Sequence, residues 1–163
     1  LKKSDRIASW TVSVRSEAEG ILKKGWGGGP VIRYTPAVRD VERLREGLWK
    51  LAQLLFEMGA RRVWPGIAGI TQQLVSPGEC DRILEASLDP RGWPIVVGHI
   101  FGTCRMGSDP ATSVVGPDFR VHGTDGLYVM DASVFPTNLG VNPQHAIMTM
   151  AMRGAEMLLA RDF

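Results

Sequence analysis

Residues 98–107 read GHIFGTCRMG, and residues 142–145, further along the chain, read NPQH. His99 follows the apolar run 95–97 and precedes a tight turn of small residues. An imidazole with a pKa near 6.5 is a natural acceptor for a hydroxyl proton at neutral pH. The residues alone also allow a core histidine whose ring binds a backbone carbonyl. The two stretches indicate a site that holds a proton acceptor beside a hydrogen-bonding amide.

The second stretch predicts the start of the last helix. Asn is a favoured helix N-cap and Pro is favoured at the first helical position, so we expect Asn142 to cap a helix over residues 143–160. Unpaired N–H groups and a partial positive charge collect at such a terminus, which can stabilise an anion. The alternative is an ordinary cap that binds no ligand. We expect this apolar helix to be buried against a sheet.

A third motif, VMDASVFPT over residues 129–137, lies between these two. The three motifs, in this order, resemble the C-terminal end of a glucose-methanol-choline (GMC) oxidoreductase. The specific similarity runs from about Val97 to Leu159, and residues 1–94 match only in outline. The resemblance implies FAD-dependent oxidation of an alcohol to an aldehyde or ketone, by hydride transfer to flavin N5. In that family the histidine of H-x-x-G-T is catalytic, which implies a His99–Asn142 pair here.

The resemblance also assigns roles to residues around the pair. The residues expected at the cofactor are Asp131, Ala132, Asn142, Pro143 and Gln144. Asp131 would order the loop and the ribityl hydroxyls; the alternative is a strand-end carboxylate that caps a turn. Phe101 and His145 are candidate substrate-pocket residues. No metal site is expected, because His99 and Cys104 are too few ligands at no recognised spacing.

The predicted fold class is α+β. The resemblance implies a fragment of a two-domain flavoprotein, with part of an antiparallel substrate-domain sheet and its flanking helices in residues 1–107. Residues 108–163 would return to the FAD-binding domain and supply the strand and helix that complete its Rossmann-like fold. No Gly-x-Gly-x-x-Gly cradle occurs in the chain. We therefore expect the N-terminal FAD-binding part to be missing, and the isolated chain to be inactive.

Hydrophobic periodicity gives a coarse map of the elements. Apolar residues at three- and four-residue steps predict a helix over 37–58, with Gly59 as its stop. A glycine-rich loop is expected over 25–30, where Trp26 is either a lid residue or an aromatic anchor for the loop. Short helical turns are expected near 79–86, and strands over 7–14, 31–34, 62–65, 95–97, 119–121 and 127–130.

Composition excludes several classes of protein. The net charge is +2 and the basic doublets are dispersed, so no nucleic-acid partner is expected. Two cysteines provide no disulfide framework, which favours a cytoplasmic location over a secreted one. The expected partners are a small alcohol, an oxygen or quinone-like electron acceptor, and the missing FAD-binding part. The alternative from another class is a non-enzymatic binding module that retains the fold.

Overall fold

The computed structural model describes residues 6–162, with side chains described up to residue 160. Two strands form one antiparallel hairpin, and the fold class is α+β as predicted. The described residues divide into two compact units, one of residues 6–20 and 33–95, the other of 21–32 and 96–162. The elements are β1 (Ile21–Lys24), β2 (Pro30–Arg33), α1 (Val38–Glu57), α2 (Gln144–Asp162) and the 3₁₀ segments Pro77–Ile83, Pro90–Gly92 and Ala132–Val134.

Helix α1 is confirmed to within one residue at each end. It ends as predicted, because Gly59 adopts a φ of +92° that side-chain-bearing residues rarely tolerate. The N–H of Gly59 donates to the Phe56 carbonyl and that of Ala60 donates to the Leu55 carbonyl, each at 2.9 Å. These two bonds form a Schellman motif, which satisfies carbonyls that the helix end would otherwise leave unpaired.

The core of the first unit forms between α1 and the segments that follow it. The 3₁₀ segment Pro77–Ile83 packs against α1, at the place where short helical turns were predicted. The indole of Trp49 on α1 donates to the Asp81 carboxylate at 2.9 Å. Burial, followed by the charges of Asp81 and Glu79, raises the pKa of the Cys80 thiol. The buried core comprises Val41, Ala52, Ile67, Leu74, Cys80, Ile83, Ala86 and Trp93.

The predicted strand over 7–14 is not formed, since residues 7–20 adopt neither helix nor strand. The segment is instead fixed against α1. Val12 lies over Gly47 so closely that a Cβ at Gly47 would be 2.5 Å from its Cγ1. The buried Asp40 carboxylate binds residues 16–18. The alternation of apolar and polar residues predicted an extended segment, but it does not show whether a partner strand is present.

Other predicted strands are also reduced or absent. The strand over 62–65 is a single antiparallel bridge between Val63 and Leu74. Those over 119–121 and 127–130 meet in one isolated bridge, between Arg120 and Tyr128. Residues 95–97 form no strand, and Val96 is 92% exposed. The expectation of continuous strands in these segments was wrong, because a pattern of apolar residues does not show whether a neighbouring strand exists.

The second unit has a small core formed by Val115, Phe119 and Val134, which are almost fully buried. Helix α2 begins at Gln144 and docks through Gly154, where a Cβ would lie 2.4 Å from the Met130 sulfur. The expectation that α2 is buried against a sheet was wrong. One apolar stripe of the helix is exposed instead, and it comprises Met148, Met152 and Leu159.

The hairpin β1–β2 confirms the glycine-rich loop as a turn, closed by a 2.7 Å bond from Gly25 N–H to the Gly29 carbonyl. Strand β2 overlaps the predicted strand over 31–34, whereas β1 was missed. Trp26 is fully exposed, which does not fit the alternative in which it anchors the loop. Neither helix in the described residues is long and apolar enough to cross a membrane.

Candidate functional site

His99 lies in an irregular segment, residues 94–100, and its side chain is exposed. The imidazole makes no hydrogen bond with any residue that the structure describes. The alternative of a core histidine bound to a backbone carbonyl therefore does not hold. Neither ring nitrogen is engaged by a described residue, so the unprotonated one can accept a proton from a ligand.

The turn that follows His99 is anchored to the third motif. The N–H of Cys104 donates to the Ser133 carbonyl at 3.1 Å, and that of Met106 donates to the Val134 carbonyl at 2.9 Å. The rings of Phe101 and Phe135 meet edge to face, with centroids 5.9 Å apart. These contacts fix the motif GHIFGTCRMG against VMDASVFPT, although the motifs are distant in sequence.

Gly102 lets the chain make this turn. Its φ is +79°, and the nearest atoms to a Cβ there would be the carbonyl oxygens of Phe135 and Pro136, at 3.7 and 3.8 Å. The space is sufficient for a methyl group, but the backbone conformation is not suited to one. Glycine is therefore required at this position by its φ rather than by close packing.

Asn142 does not cap α2 as predicted. The Pro143 carbonyl accepts the first helical bond, from Ile147 N–H at 2.9 Å, which makes Pro143 the N-cap and Gln144 the first helical residue. The predicted boundary was one residue early. The Asn142 amide is exposed and makes no hydrogen bond with the described residues, so it is available to a ligand.

Asp131 caps a turn, the alternative left open from the sequence. Its Oδ1 accepts from the Ser133 hydroxyl and from the Ser133 N–H, the latter at 2.8 Å. The side-chain bond first and the backbone bond second lower the pKa of the Asp131 carboxyl. The cap fixes the segment Ala132–Val134, whose carbonyls in turn hold the turn after His99. This role for Ser133 was not predicted.

The remaining candidates lie on the first turn of α2. Gln144 and His145 are both exposed, and neither side chain bonds to a described residue. The backbone N–H groups of the first helical turn have no partner within the helix. Amide and N–H donors of this kind suit the carbonyl oxygens of a flavin pyrimidine ring. The donor set at the start of α2 therefore fits a flavin.

His122 behaves differently from His99. Its side chain is half-buried. Its Nε2 lies 2.9 Å from the Ser113 hydroxyl and 3.2 Å from the Gly107 carbonyl. It joins two turns of the second unit, so of these two histidines only His99 presents an unengaged ring.

Comparison with known proteins defines the family. Residues 28–151 match the profile described as GMC oxidoreductase. The chain belongs to the GMC oxidoreductase family, which confirms the resemblance. It is 32% identical, over 99% of its length, to an uncharacterized GMC-type oxidoreductase of Mycobacterium tuberculosis. It spans about a quarter of that relative, since it covers 25% of it.

Several other relatives carry the names of oxidases. A 6'''-hydroxyparomomycin C oxidase of Streptomyces lividus is 35% identical over 76% of the chain, which covers 18% of that enzyme. A long-chain-alcohol oxidase of Arabidopsis thaliana is 32% identical over 74%, again covering 18%. The crystal structure of pyridoxine 4-oxidase from Mesorbium loti superposes with a TM-score of 0.58 and 25% identity. That match covers 88% of this chain and 28% of the other.

Proposed function

We propose that the protein to which this chain belongs oxidises an alcohol to an aldehyde or ketone, with FAD as cofactor and His99 and Asn142 as the catalytic pair. Membership of the GMC family and the oxidase names of the relatives support this proposal. One observation carries it. The imidazole and the amide are both exposed and unengaged, while the segments around them are tied to the chain.

His99 accepts the hydroxyl proton of the alcohol. Asn142 donates a hydrogen bond from its side-chain amide to the same oxygen and so stabilises the charge that develops there. When bound, FAD supplies the acceptor for the two electrons and the hydrogen that leave the carbinol carbon. The product is the carbonyl compound, and the proton held by His99 is released to solvent.

The residues that would hold the flavin lie at the start of α2 and in the third motif. Asn142 and Gln144 present side-chain amides on either side of Pro143, and Asp131 and Ala132 belong to the capped turn. No dinucleotide cradle occurs in this sequence. The adenosine diphosphate moiety would bind a preceding part of the protein, and residues 108–163 would complete that domain.

The test is to mix the FAD-loaded full-length protein with alcohols in the absence of oxygen and to record the absorbance of the flavin over time. We expect the oxidised flavin band to bleach and an equivalent of aldehyde or ketone to form. Reoxidation by air or by a quinone then identifies the electron acceptor. Full-length protein that binds no flavin, or whose flavin no alcohol bleaches, contradicts the proposal and favours a non-enzymatic binding module.

A further inference from the structure

The segment that carries His99 is not held in place by its own contacts. Residues 94–100 form neither helix nor strand. In the described part of the chain, no heavy atom beyond the two chain neighbours would lie within 4 Å of a Cβ at Gly98. A general base must stay within hydrogen-bond reach of the proton that it accepts. Within this unit, the position of His99 is therefore set by the residues that follow it.

Those residues rest on the end of the third motif. The Phe101 ring, two positions after His99, meets the Phe135 ring edge to face. A Cβ at Gly102 would lie 3.7 Å from the carbonyl oxygen of Phe135. The two backbone hydrogen bonds described above extend the same contact to the end of the turn. We call residues 133–136 the platform, because the turn after His99 lies on them.

Ser133 links the platform to the capped turn. Its hydroxyl and its N–H both donate to Oδ1 of Asp131, the N–H at 2.8 Å. Its carbonyl accepts the N–H of Cys104 at 3.1 Å. A single residue thus bonds the Asp131 carboxylate on one side and the turn after His99 on the other. Removal of the hydroxyl would leave the cap with its backbone bond alone.

The carboxylate that holds Ser133 is charged wherever His99 can act as a base. The bond from the Ser133 hydroxyl, followed by that from its N–H, lowers the pKa of the Asp131 carboxyl below the ordinary 3.8. An ordinary imidazole titrates near 6.5. Hydrogen bonds to an ionised acceptor are about twice as strong as those between neutral groups. The Asp131–Ser133 contact is therefore present throughout the pH range in which an imidazole accepts a proton.

We propose that Ser133 is a positioning residue for His99, because its hydroxyl fixes the platform that holds the turn after the histidine. This inference rests on the proposed function, since it concerns the proton acceptor of that site. A displacement of about 1 Å at a reacting group can lower a rate about 10²-fold. Because the other contacts of the platform remain, we expect loss of the Ser133 hydroxyl to cost less than this, about tenfold.

The first experiment measures flavin reduction by an alcohol in FAD-loaded full-length protein, by anaerobic stopped flow. Ser133→Ala should lower the limiting rate at saturating alcohol about tenfold and change the half-saturating concentration less than about twofold. The plateau of the pH profile should fall while its midpoint stays in place. Ser133→Thr retains the hydroxyl and should restore the native rate. Thr124→Val is the matched control, because the half-buried Thr124 hydroxyl donates to the Val121 carbonyl at 2.8 Å in the same unit.

A second experiment needs no turnover. Hydrogen–deuterium exchange followed by mass spectrometry reports the N–H groups of Cys104 and Met106, which the platform protects. In the FAD-loaded full-length protein, Ser133→Ala should speed exchange in the peptide over 99–106, while peptides of α1 stay as in the native protein. Ser133→Thr should exchange at the native rate. Unchanged exchange over 99–106 in Ser133→Ala overturns the inference.

The outcomes separate the inference from the proposed function. If His99→Gln slows flavin reduction but Ser133→Ala does not, the inference is wrong and the function stands. A Ser133→Ala variant that loses FAD and Tm, without rescue by Ser133→Thr, shows a purely structural residue and also overturns the inference. If His99→Gln leaves the rate of flavin reduction unchanged, both are overturned.

Discussion

Replacing Asp40 tests how the first unit is held together. Its carboxylate is 2% exposed and accepts hydrogen bonds from three backbone N–H groups and one hydroxyl. The donors are the N–H of Glu17 at 2.8 Å, of Ala18 at 3.2 Å and of Ala37 at 3.1 Å, and the Ser16 hydroxyl at 2.9 Å. These bonds tie residues 16–18 to the start of α1.

The magnitude follows from the number of donors. A hydrogen bond to a charged acceptor contributes about 1.5–3 kcal/mol, and a buried donor left without one costs about 1–3 kcal/mol. Because residues 16–18 are only part-buried, water can replace some of these bonds. We therefore expect Asp40→Ala to lower the free energy of unfolding by about 3–5 kcal/mol. Asp40→Asn should cost about 1.5–3 kcal/mol, because its NH₂ group must face one of the donors.

The effect depends on pH with a definite sign. Burial raises the pKa of Asp40, but the hydrogen bonds from Glu17, Ser16, Ala37 and Ala18 together outweigh it, so the folded-state pKa lies below the ordinary value of 3.8. The stabilisation is present above that ordinary value and is lost as the pH falls through the lowered, folded-state pKa. The difference between the native chain and Asp40→Asn should therefore shrink in acid.

The assay is urea unfolding followed by circular dichroism, at neutral pH and at about pH 3. Asp125→Asn is the control, because its carboxylate is 98% exposed and such surface ion pairs contribute little. An Asp40→Asn variant whose free energy of unfolding lies within about 0.5 kcal/mol of that of the native chain refutes the reasoning, because a buried carboxylate that accepts several hydrogen bonds should contribute more than this. So does a difference that stays constant on acidification.

Three further substitutions test separate contacts. Gly59→Ala should lower the free energy of unfolding in urea by about 1 kcal/mol, because Gly59 has a positive φ. Gly27→Ala, in the open turn, should leave it almost unchanged, and equal effects of the two substitutions would contradict the role of Gly59 at the end of α1. Gly154→Val should displace Met130 and lower Tm by several degrees, so an unchanged Tm would contradict the docking of α2. Asn142→Ala should slow flavin reduction about 10²-fold with FAD still bound, whereas loss of flavin would indicate a structural role.

Local signals made α1 predictable. Its apolar periodicity, together with Gly59, determined both ends, because a helix satisfies its hydrogen bonds within one segment. Strands need a partner, and the sequence did not identify one for residues 7–14 or 95–97. The hairpin was detectable in principle, since the glycine-rich loop separates two short runs with apolar residues, yet only β2 was predicted.

The sequence predicted the residues of the candidate site but not the contacts that hold their segments in place. The motifs identified His99 and Asn142, and the structure leaves both side chains exposed and unengaged. The sequence could not show that the Ser133 and Val134 carbonyls hold the turn after His99, because contacts across distant segments have no local signature. The helix start was misplaced by one residue, since Asn and Pro favour neighbouring positions at a helix terminus.

The most direct test of the account is the rate of flavin reduction in His99→Gln full-length protein, measured by anaerobic stopped flow. His122→Gln is the matched control, because that histidine joins two turns instead of facing a ligand. If His99 is the proton acceptor, the His99 variant should retain FAD but be reduced at least about 10²-fold more slowly, while the control stays near the native rate. An unchanged reduction rate in His99→Gln would contradict the assignment of the proton acceptor.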